Sequence, residues 1–551
     1  MNRMIVRYMC FLLCGLLALS SPLSLAEDED ELLMLMFRYP VNENGEAQVN
    51  DVTFEGDWDV RDDHRVFYEI FVGSFSDSDG DGIGDLRGII DRMDYLNDGD
   101  PQSGFSLGVE GIWLTPVFTS PSYHKYDVTD YYTVDPAFGT NEDLKELVDL
   151  CHERDVRVIL DLPINHTGSQ NRWFKNFLNA HMLHNDTNTW YNFYTWLTSA
   201  DARPAGRHFT KVGNQDLLYE SNFSDDMPEL NFDDPYVYDQ IVDVARYWLD
   251  LGVDGFRFDA AKYLYLNDHE RNLAFWTHYL TDLRAIKPDL YTVAEVWDSE
   301  GITDLYLPAM NCFNFTTSQT SGLITETAQA GDVNRYASYL EKNQERIRSI
   351  NPEAMNIPFI ANHDTDRAAG YLTVASGQMQ MAANLYLLAP GSPFIYYGEE
   401  IGLRGSRGGA NTDANRRLAM VWGDGDTVQD PVGSTYTKQT EFTVQQQKKR
   451  SDSPLTYYKR LLMIRKAHPE IARGTLTALS FENTKAGGYV CAWQGSSVIV
   501  LHNTTKGQER LELPEGMTAV LCEAVGMGEA AQDGNAVILD GQTSAVLRVV
   551  Q

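Results

Sequence analysis

Short apolar runs alternate with longer amphipathic stretches from Val66 onward. The runs have the length of buried strands, whereas the stretches between them repeat apolar residues at helical spacing. Eight strands are predicted, at 66–72, 111–114, 156–160, 255–258, 291–294, 312–315, 357–361 and 393–397. Predicted helices lie between them, including 141–154, 235–251 and 272–286. Eight strands alternating with helices indicate an α/β fold, a parallel (β/α)8 barrel of the TIM type.

Two parts of the chain depart from this alternation. Roughly 90 residues separate the third and fourth predicted strands, far more than a normal connection. We predict an inserted domain at 165–232, so that the barrel consists of 66–164 and 233–468. From 469 to 551, short alternating strands with Gly and Asn turns indicate a C-terminal antiparallel β-sandwich. Residues 27–65 are acidic and irregular, and no fold is predicted for them.

The first 26 residues have the pattern of an export signal. Arg3 and Arg7 precede an apolar run, and Ser24 and Ala26 frame a small-residue cleavage site. An uncleaved anchor is the alternative, but the run is shorter than the ~20 residues of a spanning helix. We therefore expect a signal peptide at 1–26, cleavage after Ala26 and a secreted protein without membrane attachment.

Charge and cysteine content narrow the partners. The formal net charge of −35 argues against nucleic acid or an anionic membrane surface. A neutral polysaccharide is indifferent to that charge, so acidity does not select a substrate. Cys491 and Cys522 share one β-rich region and could form a disulfide in an oxidising compartment, although their spacing leaves the pairing open. We expect a monomer.

Three predicted strands end on a carboxylate. The segments GFRFDAAK (255–262), TVAEVW (292–297) and FIANHDTDR (359–367) place Asp259, Glu295 and Asp364 there. In a parallel barrel, the C-terminal strand ends converge on the face that carries the active site. Carboxylates gathered there suit chemistry that protonates a leaving group and stabilises a developing cation. Hydrolysis of a sugar–sugar bond is the commonest such reaction, so a glycosidase is predicted.

Four segments resemble, in order and approximate spacing, the motifs of the α-amylase family of retaining glycoside hydrolases. They are DLPINH (161–166), GFRFDAAK, AEVW (294–297) and NHD (362–364), and the resemblance extends from about Val66 to the C-terminus. It implies that Asp259 is the nucleophile and Glu295 the general acid/base. It also implies that Asp364 holds sugar hydroxyls in the distorted ring of the transition state. The implied substrates are starch, glycogen or maltooligosaccharides.

The same resemblance implies substrate-binding residues around the carboxylates. His166 and His363 would donate hydrogen bonds to the sugar at the cleavage site, and Tyr126 would stack beneath it. Arg257 lies two residues before Asp259 and so faces the same side of the strand. A guanidinium there would keep Asp259 ionised and oriented.

Two further residues bear on how the substrate is cut. Lys262 resembles a lysine that contacts the sugar beyond the cleaved bond in α-amylases. Asp127 resembles an aspartate that, in exo-acting relatives, grips the terminal glucose together with a late arginine, and Arg416 or Arg417 could be that partner. Lys262 therefore favours endo action, whereas Asp127 with an arginine favours exo action.

A loop after the first predicted strand carries carboxylates at alternate positions, with glycines between them. Hard oxygen ligands at this spacing suit Ca²⁺. The loop resembles a structural calcium loop of bacterial family members. The expected ligands are Asp77, Asp79, Asp81, the Ile83 carbonyl and Asp85.

The favoured activity is endo-acting hydrolysis of α-1,4-glucans. The segment 227–231 is intermediate in form between those of oligo-1,6-glucosidases and neopullulanases, and the chain resembles bacterial secreted α-amylases of that intermediate type. An exo-acting α-glucosidase, or oligo-1,6-glucosidase, and a glucan transferase are the alternatives within the same site. A non-catalytic glucan-binding protein is a more distant one, because Asp259, Glu295 and Asp364 are all present.

Overall fold

The computed structural model describes residues 39–54, 60–437 and 439–550, so the predicted signal peptide lies outside the described residues. The strands of this part of the chain are β1 Phe67–Ile70, β2 Gly111–Leu114, β3 Phe118–Thr119, β4 Asp130–Val134, β5 Arg157–Leu162, β6 Trp196–Leu197, β7 Phe209–Lys211, β8 Leu218–Glu220, β9 Gly255–Phe258, β10 Tyr291–Ala294, β11 Asn311–Cys312, β12 Phe394–Tyr396, β13 Thr475–Leu479, β14 Ala486–Trp493, β15 Ser496–Asn503, β16 Glu509–Glu512, β17 Thr518–Gly526, β18 Ala530–Asp533, β19 Ala536–Leu539 and β20 Thr543–Val550.

The helices of the described residues run outside and between these strands. They are α1 Leu86–Asp91, α2 Met93–Leu96, α3 Asn141–Glu153, α4 Arg172–Met182, α5 Pro235–Leu251, α6 His269–Ile286, α7 Glu300–Thr303, α8 Leu323–Ala328, α9 Val333–Ile350, α10 Gln378–Leu387, α11 Val444–Gln447, α12 Pro454–Ala467 and α13 Pro469–Arg473. Among the helices of the described ranges, none has the length and apolar character needed to span a membrane.

Seven parallel strands form the predicted barrel sheet. Their order is β11–β10–β9–β5–β2–β1–β12. Buried side chains from neighbouring strands fill its interior, among them Phe67, Trp113, Tyr291 and Phe394. The Phe67 and Phe394 rings stack with centroids 4.8 Å apart. The barrel is therefore a packed core, and its chemistry is confined to the strand ends.

The predicted seventh strand, 357–361, closes the barrel without forming a regular strand. The Asn314 N–H donates to the Ile357 carbonyl at 3.0 Å on one side of it. On the other side, the Phe394 N–H donates to the Pro358 carbonyl at 3.0 Å. The segment thus occupies the gap between β11 and β12. Pro358 has no N–H of its own to donate, which interrupts the ladder at this position.

Two other elements differ in extent from the prediction. The sixth strand, predicted at 312–315, is reduced to the two residues of β11. The helix predicted at 272–286 begins three residues earlier, at His269. The Asp268 side chain caps it by accepting a backbone N–H of the first turn, and this cap sets the helix start.

Local capping signals set the ends of two barrel helices as the sequence indicates. The Thr140 side chain accepts the Asp143 N–H, and the Asp143 carboxylate accepts the Thr140 N–H at 2.9 Å, which completes a capping box before α3. Helix α5 starts at Pro235 after an Asp234 cap. It stops at Gly252, whose φ of 121° suits only glycine.

The insertion between β5 and β9 leaves the barrel continuous. It contains α4 and a small antiparallel sheet in the order β6–β8–β7. Strands β5 and β9 pair directly with each other, with Asp161 opposite Arg257 in the register. The insertion therefore projects from the C-terminal ends of these strands, next to the predicted site.

Two antiparallel sheets follow the barrel, as predicted for a C-terminal sandwich. One has the order β13–β14–β15–β20–β17 and the other β16–β19–β18. Their facing side chains form one buried apolar cluster, with Leu501 and Leu547 from the first sheet and Leu511 and Leu539 from the second. Burial of this shared face holds the two sheets together.

The possible disulfide between Cys491 and Cys522 is excluded by the sheet order. Cys491 lies in β14 and Cys522 in β17, with β15 and β20 between them. Three strand spacings separate the two residues, roughly 14 Å at about 4.8 Å per spacing. A disulfide requires Cα atoms within about 7 Å.

Arg460 of α12 joins three parts of the chain. It pairs with Asp51 of the irregular N-terminal segment at 3.0 Å and with Glu523 of β17 at 2.9 Å. Its side chain and that of Glu523 are both buried. A buried charge that loses its partner cannot be rehydrated, so this contact ties the barrel to both flanking segments.

Replacing Arg460 by Met should lower the free energy of unfolding by roughly 3 kcal/mol, because Glu523 keeps its burial and loses its cation. Thermal or urea denaturation measures the change. Arg450→Met is the matched control, since Arg450 pairs with Asp452 at the exposed surface. If both variants lose the same free energy of unfolding, the buried ion pair contributes no more to stability than the exposed one.

Candidate active site

Three neighbouring barrel strands bring four charged side chains to one point. Asp161 lies near the end of β5 and Arg257 near the end of β9. Asp259 follows β9 directly, and Glu295 follows β10. Strands β5, β9 and β10 are adjacent and parallel, so their C-terminal ends lie side by side. The three carboxylates consequently surround one guanidinium.

The Arg257 guanidinium, about 1% exposed, binds all three carboxylates. Its Nη1 lies 2.9 Å from Asp161 Oδ1 and 2.8 Å from Asp259 Oδ1. Its Nη2 donates to the Glu295 carboxylate. Asp259 and Glu295 are therefore held next to each other by the two terminal nitrogens of one planar, permanently charged group.

Burial changes the protonation of the two proposed catalytic carboxyl groups in the same direction. Burial raises the pKa of Glu295 to about 7, with Arg257 acting against the rise. Burial also raises the pKa of Asp259, and again Arg257 opposes it, through a direct hydrogen bond. A carboxyl group that is half protonated near neutral pH can act as a proton donor.

Asp364 completes the carboxylate set from the loop after 357–361. His363 Nε2 lies 3.1 Å from Asp364 Oδ2, and Arg417 Nη2 lies 2.6 Å from Asp364 Oδ1. Burial disfavours ionisation of Asp364, but these two cations outweigh it and hold its pKa well below the usual range. The group is thus a permanent anion, one third exposed toward the cavity.

A cavity of about 860 Å³ opens above these carboxylates. Five of the predicted site residues line it: Tyr126, His166, Asp259, Glu295 and Asp364. Arg257 and His363 lie directly behind the lining and contact it through hydrogen bonds. The structure thus brings together seven of the nine predicted catalytic and substrate-binding residues.

Tyr126 and His166 have defined partners in the cavity wall. The Tyr126 hydroxyl donates to Asp161 at 2.9 Å, and its ring stacks on that of His363. The His166 Nε2–H donates a hydrogen bond to the Tyr126 carbonyl at 3.2 Å. Burial lowers the pKa of His166 to about 4, so the ring is neutral and its other nitrogen is an acceptor.

Asp127 and Lys262 lie beside the cavity and do not line it. The Asp127 carboxylate accepts hydrogen bonds from Ser120 and Ser122 within its own loop. Arg417 pairs with Asp364, so the predicted Asp127–arginine clamp is not formed. Lys262 donates to Asp298 at 2.7 Å and to the Trp297 carbonyl at 2.8 Å. The side chains of Asp127 and Lys262 are therefore both bound by other residues of the protein.

Arg416, the other proposed partner of Asp127, is also engaged elsewhere. Its guanidinium pairs with Asp366 at 2.8 Å and with Asp413 at 2.9 Å. Lys125 adopts a left-handed φ of 64°. Its buried ammonium pairs with Asp135 at 2.8 Å, which anchors the loop that carries Tyr126.

Aromatic side chains at the cavity rim were not predicted. Phe223 of the inserted domain is 45% exposed and Trp297 is 40% exposed, although both line the cavity. Trp297 stacks on Phe315 with centroids 4.9 Å apart. Phe223 packs edge-on against Tyr263. Exposed aromatic faces beside buried carboxylates are suited to apolar sugar faces.

Three further residues that contact the site residues were not predicted from the sequence. Asp161 opens the DLPINH segment, so that motif was its available signal. Glu69 in β1 contacts His363, and no motif distinguishes it. The Tyr123 hydroxyl accepts a hydrogen bond from Arg417 at 3.1 Å.

Three of the predicted calcium ligands converge. Asp77, Asp79 and Asp85 each present an oxygen, and these oxygens lie within 4.8 Å of one another. Two oxygens that share one Ca²⁺ at 2.3–2.6 Å can be up to about 5.2 Å apart, so the donor set fits the ion. Asp81 is outside this group, and its carboxylate accepts the Ile83 N–H at 2.7 Å.

Comparison with known proteins gives a consistent result. The family described as "Alpha amylase, catalytic domain" matches residues 69–474. "Alpha-amylase 3" of Dictyoglomus thermophilum is 33% identical over 456 residues, covering 80% of this chain and 85% of that protein. A 4-alpha-glucanotransferase of Thermotoga neapolitana is 29% identical, covering 80% of this chain and 96% of that protein.

Solved structures agree. The structure titled "Eubacterium rectale Amy13B" superposes with a TM-score of 0.83 at 32% identity, covering 91% of this chain and 97% of the other. An α-amylase from H. orenii has a TM-score of 0.76 at 32% identity, covering 89% and 100%. The parallel barrel, the carboxylate motifs at its strand ends and these matches lead to one conclusion: this chain belongs to the α-amylase family of glycoside hydrolases, enzymes that act on glycosidic bonds.

Proposed function

We propose that this enzyme is a retaining, endo-acting hydrolase of α-1,4-glucans such as starch, glycogen and maltooligosaccharides. The observation that carries the proposal is the pair Asp259 and Glu295 on a single guanidinium, beneath an open cavity with exposed aromatic residues at its rim. Retention requires two carboxyl groups roughly 5 Å apart, and a shared guanidinium keeps them adjacent.

In the proposed mechanism, Asp259 attacks the anomeric carbon while Glu295 protonates the leaving glycosidic oxygen. Glu295 then takes a proton from the water that hydrolyses the glycosyl–enzyme bond. Arg257 supports both steps, since its charge opposes the rise in the Asp259 pKa that burial causes and it binds Glu295. Asp364 would bind hydroxyl groups of the distorted sugar, and the buried His363 imidazole contacts Asp364 from behind.

The rim supports endo action. Phe223 and Trp297 offer sugar-stacking surfaces away from the carboxylates, which a substrate longer than one glucose unit would use. Lys262 lies against Asp298 and Trp297, next to the same rim. The absence of the Asp127–arginine clamp removes the main argument for a pocket closed around one terminal glucose.

One contact favours the exo-acting alternative. Arg417 joins two loops that line the cavity by binding Asp364 and the Tyr123 hydroxyl. A glucan transferase is favoured by the similarity to a 4-alpha-glucanotransferase over 80% of the chain. Both alternatives use the same carboxylates and differ in product.

We also propose that the protein is exported, acts as a monomer and binds one Ca²⁺ at Asp77, Asp79 and Asp85. The calcium loop follows β1 and is tied to the barrel segment after β12, because the Asp77 carboxylate accepts from the Thr427 hydroxyl and the Gly82 carbonyl accepts from the Gln429 N–H. An ion there would brace two loops at the active-site face. Its expected contribution is to stability.

Endo action predicts that starch viscosity falls before glucose accumulates and that maltose and larger products appear first. Chromatography of early products, together with viscometry, measures this. Release of glucose alone without a fall in viscosity would establish the exo-glucosidase. Products longer than a maltooligosaccharide substrate would establish the transferase.

Replacing Phe223 by Ala tests whether the rim of the cavity binds long substrates. It should raise the KM for long glucans about tenfold and affect maltotriose less, because a stacking contact of ~1.4 kcal/mol corresponds to a tenfold change. Phe442→Ala is the matched variant, as Phe442 is also exposed but lies outside the cavity lining. Equal effects in both variants would contradict the assignment of the rim.

The catalytic assignment predicts a pH dependence. Glu295 must be protonated to act as the acid, so kcat should be retained below pH 7 and fall as the pH rises through the Glu295 pKa of about 7. Steady-state kinetics on maltooligosaccharides measures the alkaline limb. Glu295→Gln and Asp259→Asn should each lower kcat by more than about 10³-fold with an unchanged circular dichroism spectrum. Appreciable activity in either variant would reject the two-carboxylate mechanism.

Calcium binding predicts that chelation lowers the melting temperature and that Ca²⁺ restores it. Binding to the folded state alone contributes about 2.7 kcal/mol when the ion is at 100 times its Kd. Asp79→Ala should abolish this dependence. Asp81→Ala should retain it, because Asp81 lies outside the three-carboxylate group. Scanning calorimetry with and without Ca²⁺ distinguishes the two, and a calcium response in Asp79→Ala would place the ion elsewhere.

A further inference from the structure

A buried carboxylate in β1 contacts the active site and has no part in the proposed two-carboxylate chemistry. Glu69 is about 1% exposed, and its Oε1 accepts the backbone N–H of His363 at 3.2 Å. The same oxygen lies 2.6 Å from His363 Nδ1. One carboxylate oxygen therefore fixes both the backbone and the ring of His363.

The other ring nitrogen of His363 also faces acceptors. Nε2 lies 2.7 Å from the Tyr126 hydroxyl oxygen and 3.1 Å from Asp364 Oδ2. The Tyr126 proton is donated to Asp161, so the hydroxyl oxygen can only accept from His363. A histidine with acceptors at both nitrogens satisfies them only when both nitrogens carry a proton.

We propose that Glu69 is a positioning residue that holds His363 as an imidazolium and, through it, keeps Asp364 ionised and oriented toward the substrate. The proposal deepens the proposed function, and it rests on that function only for the role of Asp364. Glu69 touches neither the cavity nor the reacting atoms. It acts entirely through the histidine.

The charges alternate along the contact chain. Glu69 is followed by His363, then by Asp364 and then by Arg417, so that each anion lies between or beside cations. Burial favours the neutral imidazole, but Asp364 and Glu69 outweigh it and raise the pKa of His363 to about 10. With Glu69 neutral, the Nδ1 proton would have a weaker acceptor, and the charged ring would lose one of its two counter-ions.

Other groups packed around His363 do not replace Glu69. The Trp113 ring approaches edge-on from β2 with centroids 5.7 Å apart. The Tyr126 ring stacks on the imidazole from the loop after β2. Arg257 and Asp161, which lie behind Tyr126, pair with each other. In the described part of the chain, Glu69 and Asp364 are the carboxylates in direct contact with the imidazole.

Two measurements on the intact enzyme test the proposal. Imidazole ¹⁵N resonances report the protonation of His363 directly, with the signal assigned by its loss in His363→Gln. In the wild-type enzyme, His363 should remain doubly protonated from roughly pH 5 to pH 9. In Glu69→Gln, which keeps the shape and a hydrogen-bond acceptor but removes the charge, the ring should titrate within that range.

Kinetics supplies the functional readout. Glu69→Gln should lower kcat about tenfold at pH 7 with a smaller change in KM, since a lost charged hydrogen bond is worth ~1.5 kcal/mol. It should also steepen the alkaline limb, because a second group then titrates. Glu400→Gln is the matched control: Glu400 is a buried carboxylate near the end of β12 that binds the hydroxyls of Tyr68 and Tyr95 and not His363.

The outcomes are separable. A neutral His363 in the wild-type enzyme near pH 7 would overturn the proposal without any substitution, even if Glu69→Gln failed to fold. An unshifted His363 titration in Glu69→Gln, with kcat lowered equally by Glu400→Gln, would reduce Glu69 to a purely structural residue. Because the resonance measurement needs no substrate, an imidazolium that responds to Glu69 would stand even if the proposed glucan hydrolysis failed.

Discussion

Three carboxylates in a buried barrel interior repel one another and lose hydration, and the Arg257 guanidinium is the cation that lets them coexist. It is almost fully buried and binds Asp161, Asp259 and Glu295 at once. Removing such a cation would leave anions without a partner or water, a situation that costs several kcal/mol. The position and protonation of the reactive groups therefore depend on this one side chain.

The same burial and the same arginine act on both proposed catalytic groups. Burial raises the pKa of both carboxyl groups, and the Arg257 charge opposes the rise in each. Glu295 titrates near neutral pH and suits a proton donor. Asp364, which lies between His363 and Arg417, is driven to the opposite extreme. Enzymes separate acid and base roles in this way through environment.

The barrel supplies the geometry for these contacts at low cost. Adjacent parallel strands deliver their last residues to one face, and a packed aromatic interior keeps those strands rigid. Flanking segments add walls without disturbing the sheet: the insertion brings Phe223 to the rim, and the loop after β2 brings Tyr126. Long connections at the C-terminal face leave the sheet register intact, because β5 and β9 still pair directly.

The sequence by itself determined the period of the elements and the residues on which the strands end. Apolar runs and capping residues act locally, so they predict the alternation, α3 and α5, and the carboxylates Asp259, Glu295 and Asp364. The closing segment at 357–361 was located correctly but was not a regular strand, because Pro358 has no N–H to donate.

Only the tertiary structure decided which long-range partner each side chain takes. Asp127 accepts hydrogen bonds from serines of its own loop, and Arg417 binds Asp364. Lys262 binds Asp298. None of these partners is the one that the resemblance implied. Glu69, more than 290 residues from His363, became its counter-ion. Cys491 and Cys522 were separated by two strands. Such contacts depend on strand order and register, which arise from packing across the whole chain and leave no local pattern in the sequence.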